Sequence, residues 1–255
     1  MTATQRRDKI LELIKEDGSA KVVDLAKIFK VTEVTIRQDL EKLDKDGLVV
    51  REHGGAFLKN IEDQVRKFSL ANQVNIEKKE RIAQKCLEFI ESGDSIILDS
   101  GSTTTEIAKK LKGFKNLRVI TNALNIAMML GTEPGIELVV TGGEFKPPTL
   151  SLTGQKAADF FNGISVQKLF LATAGISLKA GLTYPSISDL VVKKAMIDAA
   201  DTTYLVADST KIGKSSFASL GALSLINYII TDEGIEEKHK QLFSDNEIEL
   251  IIAAS

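Results

Sequence analysis

Cysteine is nearly missing from this chain. Cys86 is the only one in 255 residues, so no disulfide framework can form within one chain. It sits in a helical stretch beside Ile82, Leu87 and Ile90, the setting of a small core hydrophobe. Histidine is almost as scarce: His53 and His239, with one cysteine, make no zinc set. No Ser/His/Asp triad is visible, and neither a metal nor a cofactor is expected. No apolar run approaches the ~18 residues that read as a membrane-spanning helix, and the opening MTATQRRDKI lacks the apolar core of a secretory signal. A cytoplasmic protein with no membrane partner is the expectation. An excess of one charge is lacking too. Net charge is −2, and the residues up to Leu58 carry eleven Lys/Arg and eleven Asp/Glu. Any contact with nucleic acid must therefore come from where the charges point, because counterion release depends on local Lys and Arg. Gly213, Lys214 and Ser215 spell the end of a phosphate-binding P-loop, but Asp208 stands where its first glycine belongs. No GxGxxG follows a strand, so a dinucleotide is unsupported.

What is present is enough chain for a small module and one large α/β domain, with a full core and no need of staples. Three helical patterns come first. Ile10, Leu11 and Ile14 give one, stopped at Asp17 and Gly18; Val22, Leu25, Ala26 and Phe29 give the next. Thr32 reads as the N-cap of the third, with Ile36, Leu40 and Leu43 behind it and Gly47 at its end. Leu48 to Arg51, then His53, Gly54, Gly55 and Ala56, make a short β pattern with a glycine turn. Three helices and a β-turn-β element spell a winged helix-turn-helix over residues 1–58. Residues 59–75 lack periodicity and read as a linker. From 76 to 255 helix and strand alternate, with strand candidates SIILD at 95, LRVIT at 117, IELVVT at 136, KLFLATAG at 168, TTYLVAD at 202, NYIIT at 227 and IELIIAA at 248. Their nearly continuous apolar runs mark strands covered on both faces, hence an open, mostly parallel, doubly wound sheet.

At 100° per residue, Ile36, Leu40 and Leu43 share one side of the third helix, with Thr35, Gln38, Lys42 and Lys45 roughly opposite and the acids Asp39 and Asp44 on the flanks. A buried side of this kind leaves short groups (Thr32, Val34, Thr35, Gln38) near the helix start and lysines further along. A recognition helix needs that order: its first turn reaches base edges while cations steady it on phosphates. Arg37 of the same helix and Arg51, His53 and Gly54 of the wing region complete the candidate DNA contacts.

In the second part, IILDSGSTTTEIAKKL at 96–111 runs from a strand through Asp99, Ser100, Gly101, Ser102, Thr103 and Thr104 into a helix. Unpaired amides and the positive dipole end of a helix bind anions, and hydroxyls add to them. The place is the usual ligand edge of a parallel sheet. Asn122, Gly142 with Gly143, and Asp208 with Lys211 follow other strands to that edge, and Asp189 and Lys193 share a helix face four residues apart. Each has an ordinary structural reading as a turn, a cap or a surface pair. Taken together they make one pocket for a small phosphorylated polyol.

The segment VTEVTIRQDLEKLDKDGLVVREHGGA, residues 31–56, resembles the signature of the DeoR family of transcriptional repressors, and LDSGSTT, ITN, TGG and ADSTK continue the likeness in order. The resemblance implies a C-terminal domain folded like sugar-phosphate isomerases that senses a phosphorylated sugar or related metabolite, with the effector role falling on Asp99 to Thr104, Asn122, Gly142, Gly143, Asp189, Lys193, Asp208 and Lys211. One departure stands out: many members carry acidic residues where this chain has Val191 and Val192. The expected function is a repressor of sugar-catabolism genes, released from double-stranded operator DNA by its effector. A homodimer or homotetramer is implied, because one short recognition helix buries too little to be selective. The alternative is a sugar-phosphate isomerase-like enzyme using the same pocket, for which the N-terminal module has no purpose.

Overall fold

The computed structural model describes residues 2–17, 19–52, 54–58, 73–177 and 179–254, and two compact units make up the chain. In the N-terminal unit, helix α1 (Ala3–Asp17) is followed by strand β1 (Ser19–Lys21), α2 (Val22–Phe29), α3 (Glu33–Lys45), β2 (Val50–Glu52) and β3 (Gly55–Phe57). Ile10, Leu13, Ile14, Leu25, Ile36, Leu40 and Leu43 interlock as its core. Lys30 ends α2 in the left-handed conformation, and the Thr32 hydroxyl caps α3 by accepting from the Thr35 amide. The predicted stop at Gly18, His53 of the wing, and residues 59–72 of the predicted linker lie outside the described residues. Strand β1 was not foreseen; it pairs antiparallel with β3, giving the order β1-β3-β2. A Cβ on Gly55 would stand 2.5 Å from the Ala20 carbonyl oxygen, so that pairing requires glycine.

The C-terminal unit runs α4 (Ile76–Cys86), β4 (Ser95–Leu98), α5 (Ser102–Lys110), β5 (Leu117–Thr121), α6 (Leu124–Leu130), β6 (Ile136–Val140), a hairpin of β7 (Glu144–Lys146) and β8 (Ser151–Thr153), α7 (Gln155–Asp159) and β9 (Val166–Ala172). It continues through β10 (Gly175–Ser177), β11 (Gly181–Tyr184), α8 (Ile187–Asp198), β12 (Ala200–Val206), β13 (Ala218–Gly221), β14 (Tyr228–Asp232), α9 (Glu237–Asp245) and β15 (Glu249–Ala253). All seven apolar runs become strands of one sheet, in the order β15-β14-β12-β9-β4-β5-β6, and every neighbouring pair is parallel. Alternate residues face opposite layers. Ile96, Leu98, Phe170 and Val206 pack with Ile82, Ile107 and Ile126 of α4, α5 and α6. Ile97, Leu169, Leu171 and Leu205 pack with Ala157, Val192, Met196 and Phe243 of α7, α8 and α9. The sheet is therefore doubly wound. Among the described residues no helix is long and apolar enough to cross a membrane.

Chain order and sheet order part company at one place. From β4 the chain steps outward through β5 to β6, then returns to lay β9 on the other side of β4. That reversal falls between β4 and β9, and it is outside the C-terminal strand ends at such a reversal that open α/β sheets have the crevice where ligands bind.

Candidate functional site

On α3 the apolar side is sealed, and Arg37, Gln38, Lys42 and Lys45 are exposed, as is Val34, at 60 %. Thr35 is half-buried and its hydroxyl lies 3.0 Å from that of Thr32, so both belong first to the cap. Each cation has an acid one turn away: Arg37 with Glu33 (2.5 Å), Lys42 with Asp46 (3.2 Å) and Lys45 with Glu41 (2.8 Å). Exposed pairs of this spacing are worth a few tenths of a kcal/mol, and a phosphate can displace them. Arg51 and Gly54 are exposed on the strand pair behind the helix. Asp39 corrects the helical-wheel reading. It is buried rather than on a flank, and its carboxylate takes Arg6 of α1 at 2.5 Å and Arg7 at 3.8 Å, locking α3 onto α1.

The Ser/Thr turn lies at the crevice of the C-terminal unit. No side chain caps α5, so its first-turn amides keep the unpaired donors that helix geometry leaves there. The Thr104 and Thr105 hydroxyls donate back to the Gly101 carbonyl, at 3.0 and 2.6 Å. Gly101 has no room for a side chain, since a Cβ would stand 2.5 Å from that of Ala172 on β9. Glycine there lets the turn lie against the neighbouring strand end.

Asp99, fully buried, closes the crevice floor. It accepts from the Ala172 amide at 3.1 Å across the gap and from Lys193 of α8 at 2.7 and 2.6 Å. Burial pushes its carboxyl above the ordinary 3.8, while Lys193 and the Ala172 and Ser100 amides pull the other way. Tyr184 at the end of β11 donates to the Ala172 carbonyl at 2.7 Å; its ring lies 4.7 Å from the Lys193 nitrogen. Burial first, then the Asp99 charge, raises the Tyr184 hydroxyl well above its usual range. Asp189 and Lys193 do share a buried face of α8, but Lys193 binds Asp99, so they are no surface pair.

The other predicted residues stand along the same edge. Asn122 follows β5 and donates to the Leu152 carbonyl at 3.0 Å. Gly142 and Gly143 follow β6; a Cβ on Gly142 would meet open space, whereas one on Gly143 would stand 2.8 Å from both Ala157 and the Thr153 carbonyl oxygen. Asp208 follows β12, accepting from Asn75 and from the Thr210 amide, and Lys211 closes the next turn. Two features were not foreseen. Lys79 of α4 is buried near this rim, its ammonium pushed down by burial against the pull of Asp208. The first turn of α4 is also fastened to the edge: Lys78 lies 3.0 Å from Asp232, whose carboxylate accepts from Ser209 and Gly234 amides. Burial opposes the Asp232 charge, but those amides and Lys78 outweigh it and hold the carboxyl below the ordinary 3.8. A depressed carboxyl stabilises the fold above its unfolded pKa and ceases to do so as pH falls through the folded one. Asp232→Asn should therefore flatten the acid limb of a melting-temperature profile between about pH 5 and pH 2; an acid limb identical to wild type would show that Asp232 contributes nothing there.

A family model described as the DeoR-like helix-turn-helix domain matches residues 6–62, and one described as the DeoR C terminal sensor domain matches residues 74–233. The glycerol-3-phosphate regulon repressor of Escherichia coli is 30% identical over 250 residues, covering 98% of this chain and 99% of that protein. The lactose phosphotransferase system repressor of Lactococcus lactis is 31% identical over 247 residues, 96% of each chain. Among solved structures, the full-length sorbitol operon regulator SorC from Klebsiella pneumoniae aligns over 94% of this chain and 98% of its own, at 12% identity and a TM-score of 0.41.

Proposed function

The chain belongs to the DeoR family of transcriptional regulators, and from that membership we propose that its C-terminal unit senses a phosphorylated sugar whose binding releases the N-terminal unit from operator DNA. It is a DNA-binding regulator and not an enzyme. One observation carries the effector class: an uncapped helix N-terminus with a Ser/Thr turn, set at the reversal point of the sheet beside a buried Asp99–Lys193 pair. A phosphate dianion satisfies the amides and the positive helix end together. Two relatives are named for a glycerol-3-phosphate regulon and a lactose phosphotransferase system, which supports a phosphorylated carbohydrate. The proposed effector residues are those along this rim, from Asp99 to Thr104 with Asn122, Gly142, Gly143, Asp189, Lys193, Asp208 and Lys211.

For DNA we propose α3 in the major groove, with Thr32, Val34, Thr35, Arg37 and Gln38 at base edges and Lys42, Lys45, Arg51 and Gly54 toward the backbone. Residues 1–58 form the DNA-binding domain and 76–255 the sensor in this reading, acting as a dimer or tetramer that spans two half-sites. Thermal-shift screening of phosphorylated sugars tests the sensor, since a ligand of the native state raises the melting temperature by mass action. Turnover of any of them would overturn the regulatory reading of the pocket. Replacing Arg37 or Gln38 by Ala should weaken operator binding about 10-fold or more, as loss of one good base contact does, with effector binding intact. Unaltered gel shifts for both variants would remove α3 from the groove.

A further inference from the structure

The last rung of the sheet carries three polar side chains in a row. Leu98 of β4 is in register with Thr121 of β5, and Thr121 with Val140 of β6. One residue further along lie Asp99, Asn122 and Thr141, and the Thr141 amide still bonds the Thr121 carbonyl at 3.1 Å. Ile97, Ile120 and Val139, two residues earlier, all pack in the layer that contains Val192 and Met196 of α8. By strand alternation the three polar residues face that layer too, as the Asp99–Lys193 bond requires. All are buried, at 0, 0 and 2% exposure.

Asp99 is fully engaged, but its two neighbours are not. Among the described residues the Asn122 Oδ1 and the Thr141 Oγ1 have no hydrogen-bond partner. The amide of Asn122 cannot be turned to hide this, because its nitrogen is needed by the Leu152 carbonyl and a flip would set two acceptors face to face. Buried polar atoms without partners are rare and destabilising, so each calls for a reason. Thr231 Oγ1 is a third such atom, but it lies on β14, with β12, β9 and β4 between it and Asn122, and no second orphan stands beside it. The pair on adjacent strand ends differs in being two complementary groups at one place.

We propose that Asn122 Oδ1 and Thr141 Oγ1 form a hydroxyl-reading subsite of the effector pocket, a role that rests on the sensor reading above. Asn122 Oδ1 can only accept, and Thr141 can donate and accept. A ligand hydroxyl fits both, donating to Asn122 and accepting from Thr141. An ionised phosphate oxygen has no proton for Asn122. The phosphate therefore belongs at the start of α5, and this pair takes a hydroxyl on the carbon chain. Strand spacing places Asn122 roughly 5 Å and Thr141 roughly 10 Å from the end of β4, so the hydroxyl read is one remote from the phosphorylated carbon. Thr141 opens the TGG stretch, of which only Gly142 and Gly143 were expected to serve the effector.

The test compares the full-length protein with Thr141→Val, which keeps the shape and deletes the hydroxyl, and Thr141→Ser, which restores it. Calorimetric titrations use inorganic phosphate and a series of polyol phosphates of three to six carbons. Inorganic phosphate should bind wild type and Thr141→Val alike. The preferred polyol phosphate should bind Thr141→Val about 10-fold more weakly, the size of one lost hydrogen bond, and Thr141→Ser should recover it. The ligand-free melting temperature of Thr141→Val should be unchanged or higher, because an unpaired buried hydroxyl has been removed. Equal affinity of the polyol phosphates for wild type and Thr141→Val overturns the subsite while leaving the sensor reading intact. So does a lowered ligand-free melting temperature with unchanged discrimination, which marks the hydroxyl as structural. Polyol phosphates that bind and respond to Thr141 while inorganic phosphate does not bind leave the subsite standing and remove the anion turn. No binding to wild type by any of these compounds overturns both.

Discussion

Lys193→Met should lower folding stability by about 3–5 kcal/mol, the penalty for leaving one member of a buried ion pair without its partner. In a domain of this size that is roughly 10 °C of melting temperature. Lys193 is 4% exposed and Asp99 0%, so water cannot take over the role of the ammonium. The deficit should depend on pH with a defined sign. Burial already raises the Asp99 carboxyl, and losing Lys193 raises it further. A raised carboxyl does no harm below its unfolded value and destabilises as pH climbs through its folded one, so the gap between variant and wild type should be widest near neutrality and narrow toward acid. Adding Asp99→Leu to Lys193→Met should recover most of the loss, since a buried pair can be replaced by apolar groups at little or no net cost. Denaturant unfolding at two pH values checks all three statements; a single variant as stable as wild type at neutral pH would show that the pair is not buried in solution.

Ser102→Glu should weaken effector binding by at least about 100-fold while leaving operator binding intact, producing a repressor that stays on DNA in the presence of inducer. Ser102 is the first residue of α5 and only partly buried. A glutamate there favours the helix, because its charge meets the positive dipole end, so the fold should tolerate it. The same charge stands where the phosphate would bind. Two like charges about 4 Å apart in a partly screened site repel by several kcal/mol, and 2.7 kcal/mol is already about two orders of magnitude in affinity. Gel shifts with and without the inducing sugar phosphate give the answer. Normal release from the operator would take the Ser/Thr turn out of the effector site.

Much of this molecule is written locally. Thr32 caps α3 because a threonine hydroxyl three residues before a free amide does so in any context. The apolar runs at 95, 117, 136, 168, 202, 227 and 248 become strands because short, β-branched apolar runs suit a sheet covered by helices on its two faces. That the turn from Asp99 to Thr104 links a strand to a helix start was readable from residue types alone. Other features depended on segments far apart. The helical wheel placed Asp39 on a flank, since a wheel takes no account of Arg6 and Arg7 arriving from α1. Strand β1 has three residues and no periodicity to detect. Strands β10, β11 and β13 are nearly as short and contain glycine; β10 and β11 form a local hairpin, and β13 joins it only once the chain has returned.

The sequence by itself determined the three N-terminal helices, the seven strands of the main sheet and the residue types that end those strands, because propensity, capping and periodicity act over a few residues. Only the tertiary structure decided that Phe170 lies beside Leu98, 72 positions away, and so that the reversal of the sheet falls at the Ser/Thr turn. It alone gave Lys193 to Asp99 and left Asn122 and Thr141 with unpaired oxygens. Which strands neighbour one another and which buried charges meet are set by packing between distant segments, and a chain read residue by residue carries no signal for them.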